Sequence, residues 1–319
     1  MLPIATYNLK AILEGTLSLL PGGLRLFTKG TRGTDSARYC YSVWLRHLVK
    51  TQELTAIAGG RLGTVVELGP GDSLGTGLAA LLCGAEKYIA IDAVEHADRE
   101  RNLRIFEDLV GLFRVGAPIP DQQELPQVLP LLDDYAFPNC IRRGLRRDRL
   151  DDIAAALRDD LNKKSLATYV NAIEAPGAIL SESVDLIFSQ AVLEHVDDLD
   201  TVYTNCFAWL RPGGIMSHQI DFKSHGTSRE WNGHWAYPDS IWRLIRGKRP
   251  YLINRQPCGT HLEALAKVGF VVLSEERTRR SSRLTQGQLA RAFRGISTDD
   301  LTTAGVYLIT KKMGSDRVP

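Results

Sequence analysis

The sequence is poor in cysteine, in long apolar runs and in net charge of either sign. Only five cysteines occur among 319 residues, with no CxxC pair and no metal-ligand spacing. A disulfide framework or a structural zinc site is therefore not expected, and a reducing cytoplasm is the natural compartment. Residues 74–85 form the longest nearly apolar run, which is too short to cross a bilayer.

The N-terminal segment lacks the features of a targeting sequence. It has no basic n-region and no A-x-A cleavage site, so neither a signal peptide nor a membrane-spanning helix is expected. We expect an amphipathic helix packed on the domain, with contact to a membrane surface as the lesser alternative.

The charges of the chain nearly cancel. Lys and Arg number 39 against 37 Asp and Glu, which leaves a formal net charge of +2. This balance argues against a dedicated nucleic-acid binder. A hydrophobic content of 44% excludes a disordered chain. The totals fit a globular protein with one core and insertions, or with two small domains.

Strand-like segments alternate with helical ones beyond residue 60. The predicted strands are residues 63–69, 87–93, 165–170, 183–190, 213–221, 271–276 and 305–312. Such alternation predicts an α/β fold, with a doubly wound parallel sheet and helices on both faces.

We divide the chain into an N-terminal helical extension, residues 1–58, and one domain, residues 59–319. Two segments interrupt the alternation within that domain. Residues of about 115–165 are rich in proline and then in arginine, and residues of about 222–258 are rich in Trp, His and Arg. We expect both segments to be insertions that act as lids, because functional loops are drawn from such segments.

A glycine-rich turn follows the first predicted strand. Its glycines, at 69, 71 and 75, place the third one residue later than a dinucleotide fingerprint requires, and Leu74 stands in the required position. Glu67 lies two residues before the first glycine. Asp92 ends the next strand, where a carboxylate can accept hydrogen bonds from ribose hydroxyls.

This spacing resembles motif I of the class I S-adenosylmethionine-dependent methyltransferases. The segments VDLIFSQAVLEHV (184–196), LRPGG (210–214) and GVYLITKK (305–312) resemble further motifs of that superfamily. The resemblance implies a seven-stranded, mostly parallel sheet with an antiparallel last strand, and S-adenosyl-L-methionine as the cofactor. The residues it implies as cofactor contacts are Glu67 for the methionine ammonium; Gly69, Gly71 and Gly75 for close backbone approach; Asp92 for the ribose; Asn171 and Ala172 for the adenine; and Ser189 and Gln190 for the methionine end.

The residues after the fourth strand bear on the acceptor. Relatives that methylate planar nitrogens often carry Asn/Asp-Pro-Pro-Tyr/Phe where this chain has Ser-Gln-Ala-Val (189–192), which argues against a nucleobase or amide nitrogen. Oxygen acceptors remain, with carbon acceptors ranked below them. The segments 217–225 and 251–255 resemble bacterial methyltransferases of polysaccharide and O-antigen synthesis. A glycan hydroxyl is therefore the leading acceptor, and a natural product or other small molecule is the alternative.

Histidines supply the candidate bases. An alcohol is a poor nucleophile at neutral pH, so methylating it requires a base or a metal. His195 is weighed evenly as the base or as half of a structural pair with Glu194. His218 and Asp221 on the fifth strand are further catalytic candidates. A metal site built from His218, Asp221 and His225 is ranked below metal-free catalysis, because alternation along a strand should turn His218 and Asp221 to opposite faces.

The second insertion supplies candidate acceptor contacts, which are His225, Trp231, His234, Trp235 and Arg255. Its tryptophans either form a lid over a sugar or aromatic ring or pack in the core. Arginine-rich clusters could hold an anionic acceptor or be solvated faces; they comprise Arg142, Arg143, Arg146, Arg147 and Arg149; Arg243, Arg246, Lys248, Arg249 and Arg255; and Arg277, Arg279, Arg280 and Arg283. A non-catalytic or nucleic-acid-binding member of the fold is the second hypothesis, and a homo-oligomer is compatible with the sequence.

Overall fold

A computed structural model describes residues 7–21, 33–54, 62–92, 98–138, 145–158, 166–170, 177, 179–249 and 251–314. Within these ranges seven strands form one sheet. They are β1 (Thr64–Leu68), β2 (Lys87–Ile91), β3 (Ala167–Val170), β4 (Val184–Gln190), β5 (Leu210–Asp221), β6 (Phe270–Arg279) and β7 (Thr303–Lys312). The helices are α1 (Leu9–Ser18), α2 (Ala37–Leu54), α3 (Gly75–Leu82), α4 (Arg99–Val115), α5 (Arg147–Arg158), α6 (Leu199–Trp209), α7 (Asp239–Arg246), α8 (Cys258–Val268) and α9 (Thr298–Leu301).

The order of strands in the sheet is β3-β2-β1-β4-β5-β7-β6. The first strand, β1, lies in the interior of the sheet. Strands β2 and β3 follow on one side of it, and β4 lies on the other side. Neighbouring strands are parallel except at β7, which pairs antiparallel with both β5 and β6. The predicted doubly wound sheet is confirmed, and its last strand is antiparallel as expected. That strand lies inside β6, which forms the edge. The order reverses between β1 and β4, where ligands of such sheets bind at the carboxyl ends.

Helices cover both faces of the sheet. On one face α2, α3 and α4 enclose a buried core, and on the other α6 and α8 enclose a second. The predicted helical spacing of Tyr41, Trp44, Leu45 and Leu48 is confirmed, since each is at most 1% exposed. The helix α2 thus packs as part of the domain's own helical layer, whereas α1 packs on α7 with a small core of its own.

The proline-rich segment is tied to α2 by a buried arginine. Arg46 is fully buried, and its guanidinium donates to the backbone oxygens of Pro120 at 2.7 Å, Val128 at 3.0 Å and Pro130 at 2.6 Å. The ring of Tyr135 lies 5.0 Å from the same guanidinium. The first predicted insertion is therefore closely packed along this stretch, against α2 and against Gln190 at the end of β4.

Gly75 is required by packing between helices. A Cβ there would lie 2.5 Å from the sulfur of Cys40 in α2 and 2.8 Å from Cγ2 of Ile105 in α4. The role predicted for Gly75 was close approach to a ligand. The contacts observed are instead with two neighbouring helices, which explain why no side chain fits.

Gly75→Ala is expected to lower the free energy of unfolding by about 1–3 kcal/mol, because the added methyl overpacks a fully buried site. The matched control is Gly111→Ala in α4, where a Cβ meets nothing within 4 Å. That change should raise stability by about 0.5–1 kcal/mol, because alanine is the better helix former. Thermal or urea unfolding of both variants measures the effects, and wild-type stability in Gly75→Ala would contradict the packing argument.

Candidate functional site

The glycine loop lies at the carboxyl end of β1, beside the point where the strand order reverses. Gly69 and Gly71 have φ angles of +65° and +73°, which side chains other than glycine rarely adopt. A Cβ on Gly69 would lie 2.6 Å from Cγ2 of Val192. The loop therefore touches the segment that follows β4. That segment leads directly into the turn of His195.

The backbone amides of this loop already have partners. The hydroxyl oxygen of Thr34 accepts from the N–H of Asp72 at 2.9 Å and of Ser73 at 3.3 Å. Asn102 in α4 accepts from the N–H of Leu74 at 2.9 Å, and Ser73 Oγ accepts from Gly75 at 3.1 Å. A loop whose amides are engaged in this way is not arranged to bind phosphate by its backbone. What it offers a ligand is shape, in agreement with the departure from the dinucleotide pattern.

Glu67 lies beneath the loop in a buried position. It is 3% exposed, and its Oε2 accepts a hydrogen bond from the Tyr88 hydroxyl at 2.5 Å. Burial raises the pKa of Glu67 to about 8, although hydrogen bonds from Tyr88, Thr76 and the Gly77 amide oppose the rise. The carboxyl thus contacts the first turn of α3. The role implied by the resemblance, a contact with the cofactor's ammonium group, stays a prediction.

Asp92 ends β2 with its side chain half-buried. Burial, together with the nearby Asp92 carboxylate, raises the pKa of Tyr251. Tyr251 comes from the second predicted insertion, so that insertion reaches the end of β2. The acid therefore lies just beyond β2 and near Tyr251, at the position predicted for a ribose contact. The predicted adenine contacts, Asn171 and Ala172, lie outside the described residues.

The end of β4 is more enclosed than the sequence indicated. Ser189 is fully buried, and its hydroxyl is bonded to Nδ1 of His218 at 2.7 Å. Burial lowers the pKa of His218 to about 3, so this ring is neutral within the core. Ser189 and His218 thus bond to each other inside the core, with Nε2 of His218 unpartnered among the described residues. Their predicted roles in the cofactor site and in catalysis stay predictions. Gln190, by contrast, is only partly buried, and its side chain bonds to Nε2 of His47 at 3.1 Å.

The remaining predicted catalytic residues come together at the carboxyl ends of β4 and β5. The rings of His195 and His225 lie 5.2 Å apart between centroids. Nε2 of His225 is 3.5 Å from Oδ2 of Asp221, and Nζ of Lys223 is 3.0 Å from the same oxygen. Burial would raise the pKa of Asp221, but contacts with His225 and Lys223 lower it overall. Burial lowers the pKa of His195 to about 4, helped by the proximity of His225, so the ring is neutral at pH 7.

Several buried polar atoms beside this cluster have no hydrogen-bond partner within the described part of the chain. They are both carboxylate oxygens of Glu194, Nδ1 of His195 and Nδ1 of His234. Burial raises the pKa of Glu194 well above its ordinary value, and Asp221 adds to the effect. Unpartnered buried polar groups cost free energy, and most native ones are satisfied. A bound ligand with several hydrogen-bond donors would supply the missing partners.

The backbone around the cluster is held by Asn254 and is strained. The amide of Asn254 donates to the backbone oxygens of Leu193 at 2.8 Å and Val196 at 2.7 Å, which fixes the short turn bearing His195. Positive φ angles occur nearby at four residues other than glycine, namely Ala191, His225, Tyr251 and Arg255. Strain of this kind is concentrated at functional sites.

The tryptophans and Arg255 of the second insertion belong to the packed core. Trp235 is fully buried, and its indole N–H donates to the backbone oxygen of Arg255 at 2.8 Å. Trp231 is 8% exposed, and its ring lies 6.2 Å from that of Trp235. Arg255 is ion-paired with Asp239 at 2.8 Å and lies over the ring of Trp242. The predicted acceptor contacts of Trp231, Trp235 and Arg255 are thus corrected, because these side chains are buried and their polar atoms bond within the protein.

His234 is also buried, at 1% exposure. Its position differs from that of the tryptophans, however, because the neighbouring groups His225 and Asp221 act on its titration together with Arg255. Burial is the main cause that lowers its pKa to about 3. Both His225 and His234 therefore belong to the cluster at the end of β5.

Most described arginines of the three clusters form ion pairs with acidic side chains of the same chain. Ion pairs join Arg246 to Asp197 at 2.6 Å, Arg249 to Glu14 at 3.2 Å and Arg279 to Asp299 at 2.6 Å. Arg277 is bound between Glu275 and Asp299. Such pairing leaves less free positive charge for an anionic partner. Arg142 and Arg143 lie outside the described residues.

Three residues near the site were missed in the sequence. Burial and the proximity of Cys40, Glu67 and Glu194 raise the pKa of Tyr39, which places this α2 residue between the glycine loop and the His195 turn. No sequence signal distinguishes it from a packing tyrosine. Lys223 could have been noticed, since it stands between Asp221 and His225 just after a strand. Tyr251 could not, because the chain folds back over β2 through tertiary contacts.

The described residues show neither a metal-binding cluster nor a membrane-spanning helix. No group of three or more His, Cys, Asp and Glu side chains among the described residues is arranged to hold a metal ion. None of the helices in the described part of the chain is both long and apolar enough to cross a bilayer.

Comparison with known proteins gives one family match. Residues 147–217 match the family model described as a methyltransferase domain. The matched segment runs from α5 into β5, so it includes the turn of His195 and excludes the glycine loop. No curated protein matches the sequence. The family match supports methyl transfer as the general reaction and does not indicate the acceptor.

Solved methyltransferase structures resemble the chain weakly. An S-adenosylmethionine-dependent methyltransferase from Mesorhizobium loti is 16% identical with a TM-score of 0.40, over 82% of this chain and 96% of that one. A Haemonchus contortus phosphoethanolamine N-methyltransferase, in complex with S-adenosylhomocysteine, is 14% identical with a TM-score of 0.42, over 89% and 58%. Geranyl diphosphate C-methyltransferase from Streptomyces coelicolor is 11% identical with a TM-score of 0.40, over 83% and 77%. The fold assignment rests on the strand order itself.

The buried Glu67 is expected to make stability fall as pH rises. Its pKa of about 8 in the folded state exceeds the ordinary value of 4.5, so the unfolded chain loses this proton first. Wild-type stability should therefore decline between about pH 4.5 and 8. Glu67→Gln should remove that part of the decline, a difference of about 1 kcal/mol or more across the window. Thermal unfolding over this range is the measurement, with Glu107→Gln on the exposed side of α4 as the control; parallel curves for Glu67→Gln and wild type would refute the assignment.

Proposed function

We propose that this chain is an S-adenosylmethionine-dependent methyltransferase that methylates a hydroxyl group. The observation that carries the proposal is the contact between the two halves of the site. Gly69 of the glycine loop packs on Val192, and the turn beginning at Leu193 brings His195 toward His225 and Asp221. A ligand held by the loop would therefore have its reactive end beside a cluster of bases.

The residues present suit the cofactor in shape and in chemistry. The left-handed glycines at 69 and 71 shape the loop without offering a phosphate cradle. Asp92, directly after β2, is proposed to bind the ribose hydroxyls, and its carboxylate acts on the nearby Tyr251. When bound, S-adenosylmethionine supplies an electrophilic methyl group. Glu67 is proposed to interact with the ammonium group of the cofactor's methionine, as the resemblance implies.

His195 is proposed as the base. Methylation of a hydroxyl releases one proton, and a neutral imidazole within hydrogen-bond reach can accept it. Nδ1 of His195 is buried without a partner in the described structure and is the atom assigned to take the proton. The adjacent His225 would orient the ring, and Asp221 would stabilise the positive charge that develops there. No step in this scheme requires His218.

A sugar or glycan hydroxyl is the proposed acceptor. Support comes from the sequence resemblance in residues 217–225 and from the unpartnered oxygens of Glu194 and nitrogen of His234, which suit a ligand carrying several hydroxyl donors. A natural product or other small-molecule hydroxyl is the alternative. Because many described arginines are paired with acids, nucleic acid is not favoured as the acceptor, and a cytoplasmic location remains part of the proposal.

The cofactor assignment is tested by calorimetry with S-adenosylmethionine. Wild-type protein should bind it, and Asp92→Ala should weaken binding about tenfold or more, because hydrogen bonds to a charged group are worth about 1.5–3 kcal/mol. Asp108→Asn, on the exposed side of α4, should bind as the wild type does. Absence of binding by the wild type would overturn the proposal.

The base and the acceptor are tested together by methyl transfer from labelled cofactor to a panel of sugars, glycans, phenols and RNA, with and without EDTA. We expect turnover on a sugar hydroxyl that EDTA leaves unchanged. His195→Gln should lower kcat about 100-fold or more while the cofactor Kd stays the same. Wild-type kcat should fall only as the pH approaches about 4, where His195 becomes protonated. An unaltered kcat in His195→Gln would rule out this base, and activity confined to RNA would rule out the acceptor class.

A further inference from the structure

The helix α1 presents two of its leucines to solvent and its small residues to the protein, while Ile12 and Leu17 are partly buried. Ala11, Gly15 and Ser18 are buried. Leu9 is 67% exposed and Leu13 59%. With 100° per residue, positions 9, 13 and 20 fall on one side of a helix, and Leu20, just past its end, is 58% exposed. A helix that packs only on its own domain normally shows the opposite arrangement.

Close contacts with α7 hold α1 in this orientation. A Cβ on Gly15 would lie 2.0 Å from the backbone oxygen of Leu244 and 2.2 Å from that of Ile245, so no larger residue fits the contact. The hydroxyl of Ser18 accepts from the N–H of Lys248 at 2.9 Å. Turning the leucines inward would bring bulky side chains against this backbone. The outward leucines are thus a built feature of the fold.

Further exposed apolar and basic side chains occur on α1 and on α7, the helix against which it packs. Leu19 is 44% exposed and Leu244 41%. Lys10 has an 84% exposed side chain, and Arg243 and Lys248 are exposed at the end of α7. The nearby acid, Glu14, is neutralised by Arg249 at 3.2 Å and by Lys10 at 3.9 Å. We call this area the leucine face, defined by Leu9, Leu13, Leu19, Leu20 and Leu244 with Lys10, Arg243 and Lys248.

We propose that the leucine face binds the surface of an anionic lipid bilayer, with α1 lying in the plane of the interface. Apolar side chains flanked by Lys and Arg are the features of helices that insert at this depth. Basic residues near an anionic surface add an attraction that salt screens. This inference is independent of the proposed methyl transfer.

A second copy of the chain fits the leucine face less well. A helix of ten residues is about 15 Å long and about 10 Å wide, whereas a stable dimer buries about 800 Å² on each partner. Two such faces brought together would also place like charges opposite each other. An anionic bilayer is complementary to the charge and needs no matching shape.

The test is co-sedimentation of the full chain with vesicles of phosphatidylcholine mixed with phosphatidylglycerol, compared with phosphatidylcholine alone. Wild-type protein should sediment with the anionic vesicles, and added salt should weaken the binding. Leu9→Ser/Leu13→Ser/Leu20→Ser should lose about tenfold or more in partitioning, since three exposed apolar side chains are removed. Lys10→Glu/Arg243→Glu/Lys248→Glu should lose the preference for anionic lipid.

The matched control is Val115→Ser/Leu131→Ser/Leu180→Ser, which removes apolar side chains of 77%, 45% and 80% exposure elsewhere on the surface. It should bind as the wild type does. Because the changed residues are exposed, thermal unfolding should show each variant folded. Absence of binding to anionic vesicles overturns the proposal, and so does equal binding by the leucine variant and the control. Wild-type self-association that the leucine changes abolish would assign the face to a second copy instead.

Discussion

The arrangement of the site depends on α2, whose buried His47 bonds to the sheet and whose buried Arg46 bonds to the proline-rich segment. Arg46 has no carboxylate partner among its described bonds; it is satisfied by Ser42 and by backbone oxygens of the proline-rich segment. Burial lowers its pKa, and removing a guanidinium from water is costly unless its donors are satisfied. His47 bonds to Ser217 on β5 and to Gln190 on β4. One helix thereby aligns two strand ends, the proline-rich segment and the glycine loop.

The bonds of Arg46 and His47 explain why an apparently peripheral helix takes part in the site. Cys40 of α2 packs on Gly75, and Tyr39 stands between Glu67 and Glu194. Displacing α2 would therefore disturb the loop from outside, without any change in the loop's own sequence. The residues of α2 that cover the sheet therefore also shape the ligand site.

Sequence periodicity predicted the sheet well because burial imposes it directly. The strands appeared within a few residues of their observed bounds, and the apolar side of α2 was recognised from its spacing. Asp92 and the group of His195, Asp221 and His225 could be predicted as site residues because strand ends carry function in sheets of this type. Alternation also predicted that His218 and Asp221 would point to opposite faces, and the separate partners observed for them agree.

The periodicity of a sequence does not show how deeply a polar side chain is buried. Trp235 and Arg255 carry polar atoms that suit a ligand, yet those atoms are bonded inside the protein. His218 has the same chemistry as His195 and differs only in what α8 and β4 place around it. Such partners come from segments distant in sequence, so the roles of these residues could be separated only by tertiary contacts.

The contact of Gly69 with Val192 joins the loop that would hold the cofactor to the turn that would hold the acceptor. Two ligands that press on opposite sides of one contact are thermodynamically coupled, and the coupling is reciprocal. We therefore expect the affinity for each ligand to change by the same factor when the other is bound. This coupling is measured as a ratio of dissociation constants. It depends on the backbone of the loop rather than on any catalytic side chain.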